Sequence, residues 1–283
     1  MAHDKVYGVC ESKCFVETMS KEQLKMIFSN CYFFGPVLTG INNFNELFST
    51  SNQNPTGEEK EEEDMGVLLR NFDTSFGLNF SQMFKNQQGL FTAPQLDLSN
   101  GLWFDSMFEN CKNLVSVPEM DFSAKKTKAY SFYPDEIRKQ TVGSDCRCLF
   151  KGCLQLKEIP NLDTEITKIT EMFNNCRSLE EIPDLFIYTD SEGAQSVEKI
   201  FYQCISLKRF RDNPYAPEGK RWQFKENFSF GESPLERTSI LKVFNGLQTV
   251  ENKTITISST TNSYLSDEDK QIATNKGWTI AVQ

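Results

Sequence analysis

Five stretches of this chain align on one another without gaps, and that internal repetition limits its fold more than any other feature. They are MFKNQQGLFTAP (83–94), MFENCKNLVSVP (107–118), LFKGCLQLKEIP (149–160), MFNNCRSLEEIP (172–183) and IFYQCISLKRFR (200–211). With the phenylalanine set at position 0, the ring falls at Phe84, Phe108, Phe150, Phe173 and Phe201. Position +3 is Gln87, Cys111, Cys153, Cys176 and Cys204, and position +6 is Leu90, Leu114, Leu156, Leu179 and Leu207. An apolar residue stands at +9 (Ala93, Val117, Ile159, Ile182, Phe210), and four of the five units place proline at +10. A fixed register over several positions and several copies is the signature of a repeat architecture.

The rings are 24, 42, 23 and 28 residues apart, with a further 43 to Phe244, where Leu247 takes the +3 place. The basic unit is thus 23–24 residues, and the longer intervals imply insertions at 124–147 and 212–238. Positions 0, +3 and +6 share one face of a helical turn. The residues after +6 alternate and then meet proline, as in a short strand at an edge. One turn and one strand cannot bury an apolar face alone, so copies must stack, with rings, thiols and leucines in columns. The expected class is α/β: a leucine-rich-repeat solenoid, with a short strand plus a helical turn per repeat. The 24 phenylalanines among 283 residues supply the recurring ring that such a column needs.

Around the repeats the chain divides into an N-terminal head at 1–50, an acidic linker or loop at 51–66, the repeats at 67–253 and a C-terminal capping unit at 254–283. In the head, Lys21–Cys31 reads as a helix behind Ser20, with Gln23 completing a capping box. Phe28, Cys31 and Phe34 echo the 0, +3, +6 spacing of a degenerate first repeat. In the capping unit, Thr254–Ser258 alternates as a strand. Ser266 caps a helix over Asp267–Thr274, Gly277 ends it, and Trp278–Val282 forms a last strand.

The formal charge of −9 is concentrated in EEKEEED at 58–64, which carries −5. No basic face is left for nucleic acid. No apolar run is long enough for membrane insertion. The opening MAHDKVYGVCESKC lacks the apolar h-region of a signal peptide.

Chemistry is poorly provided for. The single histidine, His3, lies at the extreme terminus, which removes histidine-assisted nucleophiles and histidine-bound zinc. The repeat cysteines read as small buried hydrophobes. The C-x3-C pair (Cys10, Cys14) and the C-x-C pair (Cys146, Cys148) match no common zinc spacing. No phosphate-cradling glycine loop is present, and no carboxylate pair stands out among 39 acids. The expectation is a protein that is no enzyme and takes no cofactor or metal. Binding residues are sought in the insertions, where aromatic and basic side chains collect: Tyr130, Phe132 and Tyr133 in the first, and Arg209, Arg211, Tyr215, Arg221 and Trp222 at or within the second, with Phe224, Phe228 and Phe230 close by. The alternative is that these rings pack back onto the repeats.

The M-F-x-x-C-x-x-L-x-x-I-P units resemble those of BspA-like leucine-rich-repeat proteins. Asn71–Phe84 (NFDTSFGLNFSQMF) resembles the related repeat of bacterial surface lipoproteins, and Tyr264–Gln283 is similar to the terminal unit that follows such repeats. MAHDKVYGVCESKC looks like an N-terminal segment shared by virion-associated proteins of tailed gut phages, where it precedes varied bodies. These resemblances imply a phage structural protein, a tail or head appendage component, assembled in the host cytoplasm and carried in the virion. Residues 1–50 would dock to other virion proteins, and the repeats would face a host surface protein or glycan, in a monomer or a homo-oligomer. The alternatives are a cytosolic leucine-rich-repeat interaction module and a surface adhesin exported without a classical signal.

Overall fold

A computed structural model describes residues 6–8, 14–16, 31–33, 37–39, 44–49, 74–75, 77–120, 144–162, 166–185, 197, 199–216, 219 and 221–283. Within these, successive copies of the repeat lie one upon the next. The rings of Phe48, Phe84, Phe108, Phe150, Phe173 and Phe201 form one column, with centroids 5.5, 5.5, 5.7, 6.1 and 5.9 Å apart and planes within 17° of parallel. Offset rings at this separation are favourable beyond the area they bury. A second column four residues earlier runs Phe44–Phe80–Phe104 at 5.3 and 5.8 Å. Buried Cys146, Ile169 and Val197 occupy the equivalent positions farther on. Leucines at +6 and apolar residues at +9 complete one continuous core from Phe44 to Trp278.

The chain around position 0 is not a helix. Each unit makes successive tight turns: Met107 N–H donates to Phe104 O, Glu109 to Ser106 and Cys111 to Phe108, each at 3.1 Å. The alternate N–H groups point along the stack instead. Phe104, Ser106, Phe108 and Asn110 donate to Asp145, Arg147, Leu149 and Lys151 of the next unit at 2.7–3.0 Å. This alternation requires left-handed backbone at −2 and +2. It occurs at Gln82, Ser106, Cys148 and Glu171, and again at Asn86, Asn110, Gly152, Asn175 and Gln203, with φ between 54° and 76°. Asparagine and glycine tolerate that region best, which explains their place at +2.

The strand part of the unit is short and parallel to its neighbour. Glu181–Pro183 (β7) pairs with Arg209–Arg211 (β8). Isolated bridges join Thr92 to Ser116 and Glu158 to Glu181. Ser144–Asp145 (β5) pairs with Ile166–Lys168 (β6) ahead of the turns. Near the N-terminus, Val6–Gly8 (β1) runs parallel to Cys31–Phe33 (β3), and Cys14–Val16 (β2) to Val37–Thr39 (β4).

Several expectations need adjusting. The stack already contains Phe44 and Phe48, so the head cannot extend to residue 50. Cys31 begins a strand rather than ending a helix; the rest of the helix expected at 21–31 lies outside the described residues, as does the acidic run at 51–66. The first insertion is shorter than expected, because Ser144–Arg147 belong to the stack. The ring that follows Phe201 is Phe230, at 4.6 Å, not Phe244. Phe244 is instead buried on a helix, Arg237–Gly246 (α1). The extra length of the two longer intervals lies between buried residues at +12 and −4: between Met120 and Cys146, and between Leu185 and Val197.

The end of the stack is closed by a three-stranded parallel sheet. Phe228–Phe230 (β9) pairs with Lys253–Ile257 (β10), which pairs with Trp278–Val282 (β11). Ser259–Ser263 (α2) and Asp267–Thr274 (α3) lie between β10 and β11. Ser266 and Asp269 form a reciprocal capping box at the start of α3. Gly277 adopts φ 84°, and a Cβ there would stand 1.9 Å from the Val250 carbonyl oxygen, so no larger residue fits.

Candidate binding face and its polar centres

The thiols at +3 have a structural task. Cys111, Cys153, Cys176 and Cys204 donate their S–H to the carbonyls of Phe84, Phe108, Phe150 and Phe173, the position-0 residues of the preceding unit, at 3.0–3.1 Å. Gln87 does the same with its amide: Nε2 donates to Phe48 O at 3.1 Å. Position +3 therefore selects a buried donor, and cysteine provides one on a small, largely apolar side chain. Gln87→Cys is expected to change stability by under about 1 kcal/mol. Gln87→Leu removes the donor from Phe48 O and should cost about 1–3 kcal/mol, read from urea unfolding.

Burial holds these thiols in the neutral form, pushing Cys111 and Cys176 up to about 12 and raising Cys153 and Cys204 well above 9.0. Cys148, half-buried on the outer face, is also raised by burial, while the nearby Lys151 amine opposes the shift. At neutral pH an alkylating reagent should label Cys148 ahead of the buried Cys111, Cys146, Cys153, Cys176 and Cys204. Below about pH 9 the column thiols are protonated in folded and unfolded chains alike. Between about pH 9 and 12 only the unfolded chain ionises, so stability should fall through that window in a pH series of urea melts.

The aromatic and basic residues sought as a surface are not all on one. Tyr130, Phe132 and Tyr133 lie outside the described residues. Tyr215 is exposed. Arg209 is exposed too, and its Nε donates to Glu181 at 2.9 Å, with Glu236 at 3.7 Å. Arg211 is half-buried and donates from Nη2 to Ile159 O at 2.6 Å. Trp222 is wholly buried and does not belong to a binding surface. Its ring packs 4.4 Å from Phe210, and Phe224, Phe228 and Phe230 are buried with it. The segment is long enough to fold back over the open end of the stack, and that burial outweighs what exposed rings would gain.

Trp222 serves a buried acid. Asp184, 1% exposed, accepts from the indole Nε1 at 3.0 Å on one oxygen, and from Arg221 Nη1 at 3.2 Å and Lys242 Nζ at 3.4 Å on the other. Lys242 also reaches Phe210 O and Asp212, both at 2.8 Å. Arg221 is therefore a partner of the interior rather than an open anchor, although it and Lys242 line a small cavity of about 220 Å³ with Asn245. The hydrogen bond and charge of Lys242 hold the Asp212 carboxyl below the usual range.

A larger groove, about 500 Å³, lies on the outer face beside Arg209. Lys208, Pro234, Glu236, Arg237, Thr260 and Tyr264 line it. Arg237 opens α1, where a cation opposes the helix dipole. It is held there by a bidentate contact with Asp269, from Nε at 2.9 Å and Nη2 at 2.7 Å. That contact lowers Asp269 and raises Arg237 from their ordinary values. Glu236 is the N-cap residue of α1, but its side chain makes no capping bond. Tyr264 is exposed. Sequence reasoning missed the groove because its residues come from three separate segments that share no local spacing.

Among the described residues no group of three or more histidine, cysteine, aspartate or glutamate side chains is placed to hold a metal. No helix there is long and apolar enough to cross a membrane. No family model, curated protein or solved structure matches this chain.

Proposed function

We propose that this chain is a leucine-rich-repeat solenoid of the α/β class that acts as a binding and scaffolding component, without catalysis, in a phage virion. The observation that carries the binding role is the stack itself. Its backbone hydrogen bonds and ring columns are satisfied internally, while the +7 and +8 side chains, including Phe91, Val115, Lys157, Glu180, Lys208 and Arg209, face outward in rows. A rigid body with such rows offers a surface to a partner rather than an enclosed site for a reaction. The place in a virion rests on the likeness of residues 1–14 to the leading segment of virion-associated proteins. Docking is assigned to the residues ahead of Phe44, where the ring columns begin.

Mass spectrometry of purified particles tests this reading. The chain should be recovered at constant stoichiometry with particle proteins, and removal of residues 1–40 should abolish its incorporation. Absence from particles would overturn the virion role, and recovery from the surface of uninfected cells would favour an exported adhesin.

A further inference from the structure

We propose that the groove bounded by Lys208, Pro234, Glu236, Arg237, Thr260 and Tyr264 is a carbohydrate site for a neutral glycan. The proposal deepens the binding role given above to the outer face and rests on that reading. Five observations point to this ligand class. The groove volume, about 500 Å³, falls among those of small-molecule clefts. Its surface pairs an exposed aromatic ring, Tyr264, and a proline with hydrogen-bonding groups of both kinds: the Glu236 carboxylate, the Thr260 hydroxyl, the Lys208 amine and the Arg237 guanidinium. A sugar ring has the matching character, an apolar C–H face and a rim of hydroxyls that donate and accept at once.

Charge argues for a neutral ligand. Arg237 is already neutralised by both oxygens of Asp269 and Arg209 by Glu181, so the Lys208 amine and the Glu236 carboxylate balance, and the groove presents no excess of either sign that would select a phosphate or a polycation. The backbone argues against an extended peptide. Lys208 and Arg209 N–H both donate to Glu180 O, and Glu236 N–H donates to Lys208 O, which leaves those donors unable to add a strand. Finally, the groups are set in place beforehand. Arg237 is clamped by Asp269, and the Glu236 carboxylate stands 3.7 Å from the Arg209 guanidinium. Such preorganisation lowers the cost of ordering on binding.

The test uses the full chain on an immobilised glycan array that carries neutral oligosaccharides of glucose, galactose, mannose and N-acetylglucosamine beside sialylated and sulfated ones. The strongest neutral oligosaccharide is then titrated calorimetrically. Binding to one or more neutral glycans is expected, weakened by about tenfold or more in Tyr264→Ala and in Glu236→Gln, with unfolding midpoints unchanged because both side chains are exposed. Thr260→Ala is the further variant should either of these disturb the fold. A blank array, binding confined to acidic glycans, or affinity unchanged in the variants would overturn the proposal. Particle mass spectrometry is independent of this result: presence in particles with a blank array removes the glycan site alone, and neutral-glycan binding by a chain absent from particles removes the virion role alone.

Discussion

Phe150→Ala is expected to lower stability by about 3–5 kcal/mol, among the largest losses open to a single substitution in this chain. Phe150 is fully buried in the middle of the column, with Phe108 5.7 Å away on one face and Phe173 6.1 Å away on the other. Truncation strips both neighbours of a stacking partner and leaves a cavity that the flanking hydrogen-bond ladder prevents from closing, since Phe150 N–H is tied to Met172 O at 3.0 Å. Phe91→Ala, at an exposed position, should change stability by no more than about 0.5 kcal/mol. Equilibrium urea unfolding of both variants gives the comparison. A Phe150→Ala loss no greater than that of Phe91→Ala would show that the column contributes little. Because the ring stacking and backbone ladder join each unit to its neighbours, the variant should also unfold over a broader range of denaturant, as the two halves uncouple.

Asp184→Ala should be comparably damaging, at about 3–5 kcal/mol, for an electrostatic reason. The substitution takes the acceptor from a buried indole N–H and the counter-charge from Arg221 and Lys242 together. Lys242 keeps Phe210 O and Asp212, whereas Trp222 has no second acceptor among the contacts it makes. Asp184→Asn should fall between the two, since an amide oxygen still serves the indole. Denaturant midpoints followed by tryptophan emission resolve the series. Equal stability of wild type and Asp184→Ala would mean that the cluster is spectator to folding.

The positions of the ring and thiol columns are legible in the sequence because every copy spends the same residue on the same place. What happens between those positions is not. Apolar residues at 0, +3 and +6 suit a helical turn, and they suit a chain of tight turns equally well. The signal that separates the two lies at +2, where Asn86, Asn110, Gly152 and Asn175 favour a left-handed backbone. The donor role of +3 is visible only through its exception, Gln87, whose amide and the thiols share little but an ability to donate. Phe230 was overlooked as the last ring because its unit has Ser233 at +3 and follows an interval of 29 residues. Trp222 reads as an exposed anchor by its neighbours in sequence, but its environment is set by Asp184 and Lys242, 38 residues before and 20 after. The groove is beyond such reading altogether, since Lys208 meets Tyr264 only through the way the terminal sheet closes on the stack.

The place of the extra length between Met120 and Cys146 has a consequence for how such a chain can change. Met120 and Ser144 bracket 23 residues, yet Phe108 and Phe150 sit as close as rings from adjoining short units. Length at that corner is decoupled from the spacing of the body. Chain length can vary at that corner while the pitch of the stack stays the same, as the 24- and 42-residue intervals with ring spacings of 5.5 and 5.7 Å already show.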